Sequence, residues 1–358
     1  MIAVYIFWLS VVLVVHTYVI YPLILKMLSK GRKGNENCYQ GDEELPFVSV
    51  IISAYNEESC IREKIESIYS CNYPPDKFEV LIGSDQSTDN TAPIVESMIS
   101  RYPNLFLTDF SERRGKGNVV NDLVKNARGS ILVLTDANVM FDKDTLFYMV
   151  RHFRNPQIGL VDTNMVNRGM KADGISYQEK AYISREVKIK DMESRVWGAM
   201  MGPFGGCYAI RKDDYARVPS NFLVDDFYIN MSIFEKKKLA VNDLGSVVFE
   251  NVPDEIKVEF RRKVRIGTGN FQNLRRFWRL IFTKRYGFAF FSHKVVRWFG
   301  PFFLLAALSC NIYLAFGQRF YLWILPFHLM FYIVPLIDRM LAVAAINIAP
   351  FRLVTHFI

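Results

Sequence analysis

The sequence has no pair of cysteines at C-x-x-C spacing, and its five cysteines (Cys38, Cys60, Cys71, Cys207 and Cys310) are an odd number. They suggest neither a disulfide framework nor a thiolate zinc site, so reduced thiols are the expectation. The chain also lacks G-x-G-x-x-G after its first strand-like run, G-x-x-x-x-G-K-[ST], and G-x-S-x-G. These absences argue against a dinucleotide oxidoreductase, a P-loop nucleotidase and a hydrolase with a nucleophile elbow. Acidic residues are the scarcer charge: 36 Asp and Glu face 44 Lys and Arg, a net charge of +8. Such an excess can serve nucleic acid. Here the basic residues cluster after the first apolar block, at Lys26, Lys30, Arg32 and Lys33, and before the last one, at Arg261, Arg262, Lys263 and Arg265. That placement fits the positive-inside rule and anionic headgroups, so membrane lipid is expected as a partner and nucleic acid is not.

Hydrophobic residues are 51% of the 358, but they are segregated along the chain. From Ile2 to Leu25 only Ser10, His16 and Thr17 interrupt an apolar run. About 20 residues of helix cross the hydrocarbon core. No charge precedes the run and basic residues follow it, which predicts a retained anchor with the next block in the cytosol rather than a cleaved signal. Phe299 to Phe316 and Phe320 to Ile337 are long enough to form two more spans, joined by Gly317-Gln318-Arg319 and closed by Asp338-Arg339 at the interface. Met340 to Ile358 is apolar again but broken by Pro350 and Arg352, so a fourth span is left open. Phe271, Leu274, Phe277, Trp278 and Ile281 recur at helical spacing with Arg275, Arg276 and Arg279 between them. This predicts an amphipathic helix on the inner membrane face, with packing on the soluble domain as the alternative.

The organisation expected is therefore an anchor over 1–28, a linker over 29–45 and a soluble domain over 46–266. Amphipathic interfacial helices follow over 267–294, and membrane segments over 295–358. The expected location is a cell membrane, multi-pass, with the soluble domain cytosolic. Oligomeric state is not legible.

Within the soluble block, Phe47 to Ala54 reads as a buried strand, and Ile61, Ile65 and Ile68 follow at helical spacing. The unit repeats, with strands at 78–83, 105–108 and 131–134 and helices at 91–99 and 117–127. Alternating strands and helices imply an α/β fold with a mostly parallel sheet flanked by helices. Ligands bind such sheets at the carboxyl ends of the strands. There stand Tyr55, Asn56 and Glu57, then Asp85, Ser87 and Asp89, then Asp136, Ala137 and Asn138. Ser87 and Asp89 are equally readable as helix caps.

Taken in order, several motifs make the chain resemble glycosyltransferase family 2, the inverting transferases with a Rossmann-like GT-A fold. They are Val48-Ser49-Val50-Ile51-Ile52-Ser53-Ala54-Tyr55-Asn56-Glu57, Ser84 to Thr91, Arg114-Gly115-Lys116-Gly117, Thr135-Asp136-Ala137-Asn138, Gly205-Gly206 and Asp225-Asp226. The resemblance covers roughly Pro46 to Trp298. It implies a nucleotide-sugar donor, UDP by expectation, and donor contacts at Ala54, Tyr55, Asn56, Glu57, Asp85, Lys116 and Asp136. It places Mg2+ or Mn2+ on Asp136 and Asn138, with Asn138 standing where the family carries a second carboxylate. A neutral amide oxygen suits a hard cation but adds no charge. Asp226 is implied as the general base, with Asp225 positioning hydroxyls, the two roles being exchangeable. Gly205 and Gly206 would admit an acceptor, and Arg261, Arg262 and Arg265 would meet phosphate or acceptor.

Phe260 to Gly267 lies where processive members carry Q-x-x-R-W, with Phe260 in place of Gln and Val264 in place of Trp. The expected function is a non-processive transfer to a lipid-linked or saccharide acceptor in surface polysaccharide assembly. A processive synthase and a membrane-tethered nucleotide-binding regulator are the alternatives.

Overall fold

The computed structural model describes residues 1–41, 44–168, 175–251 and 256–343. Eight strands form one sheet: β1 (Val48–Ala54), β2 (Phe78–Asp85), β3 (Leu105–Phe110), β4 (Ile131–Thr135), β5 (Val139–Phe141), β6 (Ile158–Arg168), β7 (Cys207–Arg211) and β8 (Leu239–Asn251). Their order is β3-β2-β1-β4-β7-β6-β8-β5. β1 to β4 pair in parallel, as alternating strands and helices require. β7 then reverses direction between β4 and β6, while β6 and β8 run parallel to each other.

Side chains alternate across β1. Val48, Val50 and Ile52 join one core cluster, and Ile51 joins the other with Leu81, Leu132 and Leu134. Both faces are thus covered, which is why these strands read as continuous apolar runs. Burying each such side chain contributes roughly 1.5–3 kcal/mol. The helix Ile61–Tyr69 lays Ile61, Ile65 and Ile68 on the first of these clusters, as its spacing predicts.

Helix Ile2–Val15, a π turn at His16–Ile20 and helix Tyr21–Ser29 form one candidate span of 28 residues. Arg319–Asp338 is a second. The segment expected as a span over Phe299 to Phe316 is a 16-residue helix, Gly300–Ala315, bent by 59° from the helical stretch Gly287–Trp298. Among the described residues, two helices are therefore long and apolar enough to cross a membrane, or three if the bent pair counts as one. Phe7 of the first packs with Ala307, Leu314 and Tyr321 of the later segments.

The last candidate span ends at Asp338, where Asp338-Arg339 is expected to close it, although the helix itself runs on as Arg319–Val343. The break placed between 266 and 267 falls inside one helix, Ile256–Phe277, whose side chains from Arg265 to Phe277 pack on the soluble domain (below). Phe277 and Leu280 are buried in the domain while Trp278 and Phe282 are exposed, so this stretch both packs on the domain and presents an apolar rim. Pro350 and Arg352, and the question of a fourth span beyond Val343, lie outside the described residues.

Candidate functional site

The carboxyl ends of β1, β2 and β4 meet on one rim, where Asn56 and Gln86 both adopt positive φ (54° and 59°) as the chain turns off its strands. Asparagine tolerates that region because its short polar side chain bonds locally. The Asn56 side-chain oxygen accepts the backbone N–H of Thr88 at 2.8 Å, and the backbone N–H of Glu57 donates to the Thr91 hydroxyl at 2.8 Å. Asp89 accepts from the Thr91 N–H at 3.0 Å and from the Glu58 N–H at 3.1 Å. Asp89 is thus a cap and a clasp between the two loops, and Ser87 accepts from the Asn56 N–H in the same clasp.

Asp85 is buried, and its oxygens accept the N–H groups of Arg114 at 2.7 Å and Gly115 at 3.0 Å. In this conformation it shapes the loop before helix Lys116–Asn126 rather than facing the rim. Gly115, at φ 79°, makes the turn that carries Lys116 back over the sheet. The Arg113 guanidinium lies 3.3 Å from the centre of the exposed Tyr55 ring. Sequence reasoning did not single out that contact, since neither residue's neighbours along the chain announce it.

Lys116 Nζ donates to Asp136 Oδ1 at 2.6 Å. Enclosure alone would lower the ammonium, but the carboxylates of Asp136, Asp225 and Asp226 outweigh it and hold Lys116 above its ordinary value. Asp225 and Asp226 open the helix Asp225–Glu235. The helix N-terminus favours carboxylate there. Even so, Asp226 is pushed up to about 7, first by its enclosure and then by the charge of Asp225, with Lys116 pulling the other way.

Gly205 explains part of that enclosure. A Cβ at Gly205 would fall 2.6 Å from Asp226 Oδ2, so this position needs a glycine for the loop to close on the carboxylate. Gly206 is closed in by Met165 and Val139 instead. A cleft of about 270 Å3, including its open mouth, is lined by Ser53, Lys116, Thr135, Gly205, Tyr208 and Asp225. The structure therefore brings Lys116, Asp136, Gly205, Asp225 and Asp226 together, with Ala54, Tyr55, Asn56 and Glu57 at the end of the strand beside them.

The basic residues behave differently. Arg261 is exposed, and Arg265 reaches the Leu223 carbonyl at 3.5 Å. The same helix does its closer work through residues not singled out from sequence. Gln272 holds the Leu223 N–H at 3.1 Å, Asn273 holds the Val224 carbonyl at 3.1 Å, and Gly269 lets the helix close on Val224. These contacts brace the segment that leads directly into Asp225.

Another missed residue is Lys64. It is fully buried, donates to the Thr135 hydroxyl at 2.8 Å and to the Val139 carbonyl, and lies 3.8 Å from the centre of the Phe141 ring. It is a strut under the turn that carries Asp136 and Asn138. Burial lowers its ammonium to about 8. A signal was present: Lys64 falls in the apolar stripe of Ile61, Ile65 and Ile68, where a charge needs partners.

Asp136 and the Asn138 side-chain carbonyl are the oxygen donors at the D-x-D position, and the Asn138 amide nitrogen donates to Glu250 at 3.4 Å. Among the described residues no three His, Cys, Asp or Glu side chains gather around one point. This donor set fits Mg2+ or Mn2+ as a shared ion whose shell is completed by phosphate oxygens and water.

Residues 49–218 match the family model described as Glycosyl transferase family 2. A poly-beta-1,6-N-acetyl-D-glucosamine synthase of Staphylococcus epidermidis is 26% identical over 249 residues, 68% of this chain and 59% of that protein. The protein of the same name from Staphylococcus aureus (strain COL) is 24% identical over 250 residues, 68% of this chain and 60% of that one. The chain thus spans about three fifths of the length of these curated relatives. A solved mannosyltransferase from Pyrobaculum calidifontis, in complex with GDP-Man and Mn2+, superposes with a TM-score of 0.74 at 23% identity, over 98% of this chain and 95% of that one. That likeness is one of fold, and the fold is GT-A-like.

Proposed function

Because residues 49–218 form a glycosyl transferase family 2 domain, we propose that the chain is an inverting, non-processive glycosyltransferase acting at a membrane. It moves a sugar from a UDP-sugar donor to a lipid-linked or membrane-proximal saccharide acceptor. The observation that carries this reading is Asp226: a carboxylate raised to about 7, closed over by Gly205 and next in the chain to Asp225, which lines the cleft with Lys116 and Gly205. A general base is most effective when its pKa lies near the working pH.

Asp226 takes the proton of the acceptor hydroxyl as that oxygen attacks the anomeric carbon. Asp225, one residue earlier at the cleft wall, orients hydroxyls. Lys116 meets the diphosphate, and the Tyr55, Asn56 and Glu57 loop receives the nucleoside. Mg2+ or Mn2+, held by Asp136 and Asn138, would neutralise charge on the departing diphosphate. Asp85 acts on the donor through the Arg114-Gly115 turn it holds. The two or three candidate spans and the flanking basic residues support a multi-pass arrangement with this domain in the cytosol.

A processive synthase is the second reading, favoured by the names of the two curated relatives. Purified chain in nanodiscs is offered UDP-, GDP- and dTDP-sugars with membrane lipid, and radiolabel is followed. One sugar added to lipid from a UDP donor supports the proposal. Long polymer from one donor favours the second reading. Nucleotide binding without transfer from any donor points to a regulator instead.

A further inference from the structure

A cluster of charged side chains is buried where the soluble domain meets the membrane segments. His293 is fully buried, and its two ring nitrogens lie 2.7 Å from a Glu193 oxygen and 2.8 Å from a Glu186 oxygen. Glu186 is held in addition by Lys294 at 2.8 Å and Arg297 at 2.9 Å. Glu193 accepts the hydroxyl of Tyr21, from the N-terminal candidate span, at 2.6 Å. The Tyr21 ring stacks on His293, 6.0 Å between centres.

The other Glu193 oxygen accepts the backbone N–H of Met201 at 3.0 Å. Met201 begins the loop that ends at Gly205 and Gly206. Asn230 holds the Gly202 N–H at 3.0 Å, and Asp162, itself paired with Lys190 at 2.6 Å, holds the Phe204 N–H at 3.2 Å. The loop therefore hangs from buried polar side chains along its length, and its far end closes on Asp226.

We infer that Glu193 is a positioning residue: through Met201 it sets the loop that closes on Asp226, and Tyr21 and His293 hold it in place from the membrane segments. A buried carboxylate stripped of its hydrogen-bond partners is costly, so the loop is positioned only while the segments that carry Tyr21 and His293 are both seated. Neither Tyr21 nor His293 reaches the cleft. Their effect is one of geometry at Asp226, where a displacement of about 1 Å can cost on the order of 100-fold in rate.

This inference rests on the sugar-transfer reading, and its test separates the two. Tyr21→Phe removes one hydroxyl, and Glu193→Gln keeps the side chain's shape while removing the charge and turning one of its two acceptor oxygens into an N–H donor. Each is compared with wild type, full length in nanodiscs, for transfer kinetics and for amide exchange of the 199–206 peptide. The expected result is a kcat lower by roughly 10- to 100-fold with donor KM within about twofold, together with faster exchange in that peptide. Unchanged exchange, or unchanged kcat in a wild type that transfers, overturns the inference. If wild type transfers from no donor, the functional reading fails, and the exchange arm alone then decides: faster exchange in the variants upholds the joint and equal exchange overturns it.

Discussion

Replacing the proposed base should make the protein more stable at alkaline pH. In the folded chain Asp226 lies at about 7, against 3.8 for the free side chain. The sign follows from linkage. Below pH ~4 the carboxyl is protonated in both states and its ionisation contributes nothing. Between pH ~4 and ~7 the unfolded chain ionises and the folded one does not, so folding loses stability at about 1.4 kcal/mol per pH unit. Above pH ~7 the loss is constant. Its ceiling is on the order of 4 kcal/mol. Asp226→Asn has the same shape, keeps an oxygen for the Phe227 N–H that now donates at 2.7 Å, and carries no such penalty. Thermal unfolding of both proteins from pH 4 to 9, in one detergent, should show matching midpoints at pH 4. A gap in favour of the variant should open up to pH 7, amounting to several degrees. Transfer should fall at least 100-fold in the same variant while UDP affinity holds. A variant that is equally or less stable at pH 8, or a gap already present at pH 4, refutes the assigned environment of Asp226.

Three further outcomes are expected. Gly205→Ala places a methyl 2.6 Å from Asp226 Oδ2, so the transfer rate should drop roughly 10- to 100-fold with donor affinity retained by calorimetry. Gly269→Ala brings a Cβ to the Val224 side chain with no room for it and should lower stability by about 1–3 kcal/mol, read from denaturant unfolding of the solubilised chain. Chelation should abolish transfer and weaken UDP binding, with Mn2+ or Mg2+ restoring both. Full activity in excess chelator would remove Asp136 and Asn138 from the proposed role.

The apolar runs were enough to place β1, β2 and β4, because each is buried on both faces and bounded by turn residues that leave no competing period, and β3 followed as the next strand of the repeating unit although it lies at the sheet edge and is largely exposed. The first and last candidate spans were readable for a similar reason: length and apolar composition are local properties. Motif order carried the family, and strand-end position put Asp136 on the rim. Only the tertiary structure decided the rest. The pairing of β6 with β8 joins segments far apart in sequence, and no local pattern encodes their register. Asp85 and Asp136 look alike as strand-end acids, yet one is turned onto backbone N–H groups and the other onto Lys116. Asp226 is raised by what surrounds it: a glycine loop hung from Glu193, and a neighbouring charge. Periodicity records which face of an element is buried. What a buried charge meets there depends on distant segments, and so do its ionisation and its role.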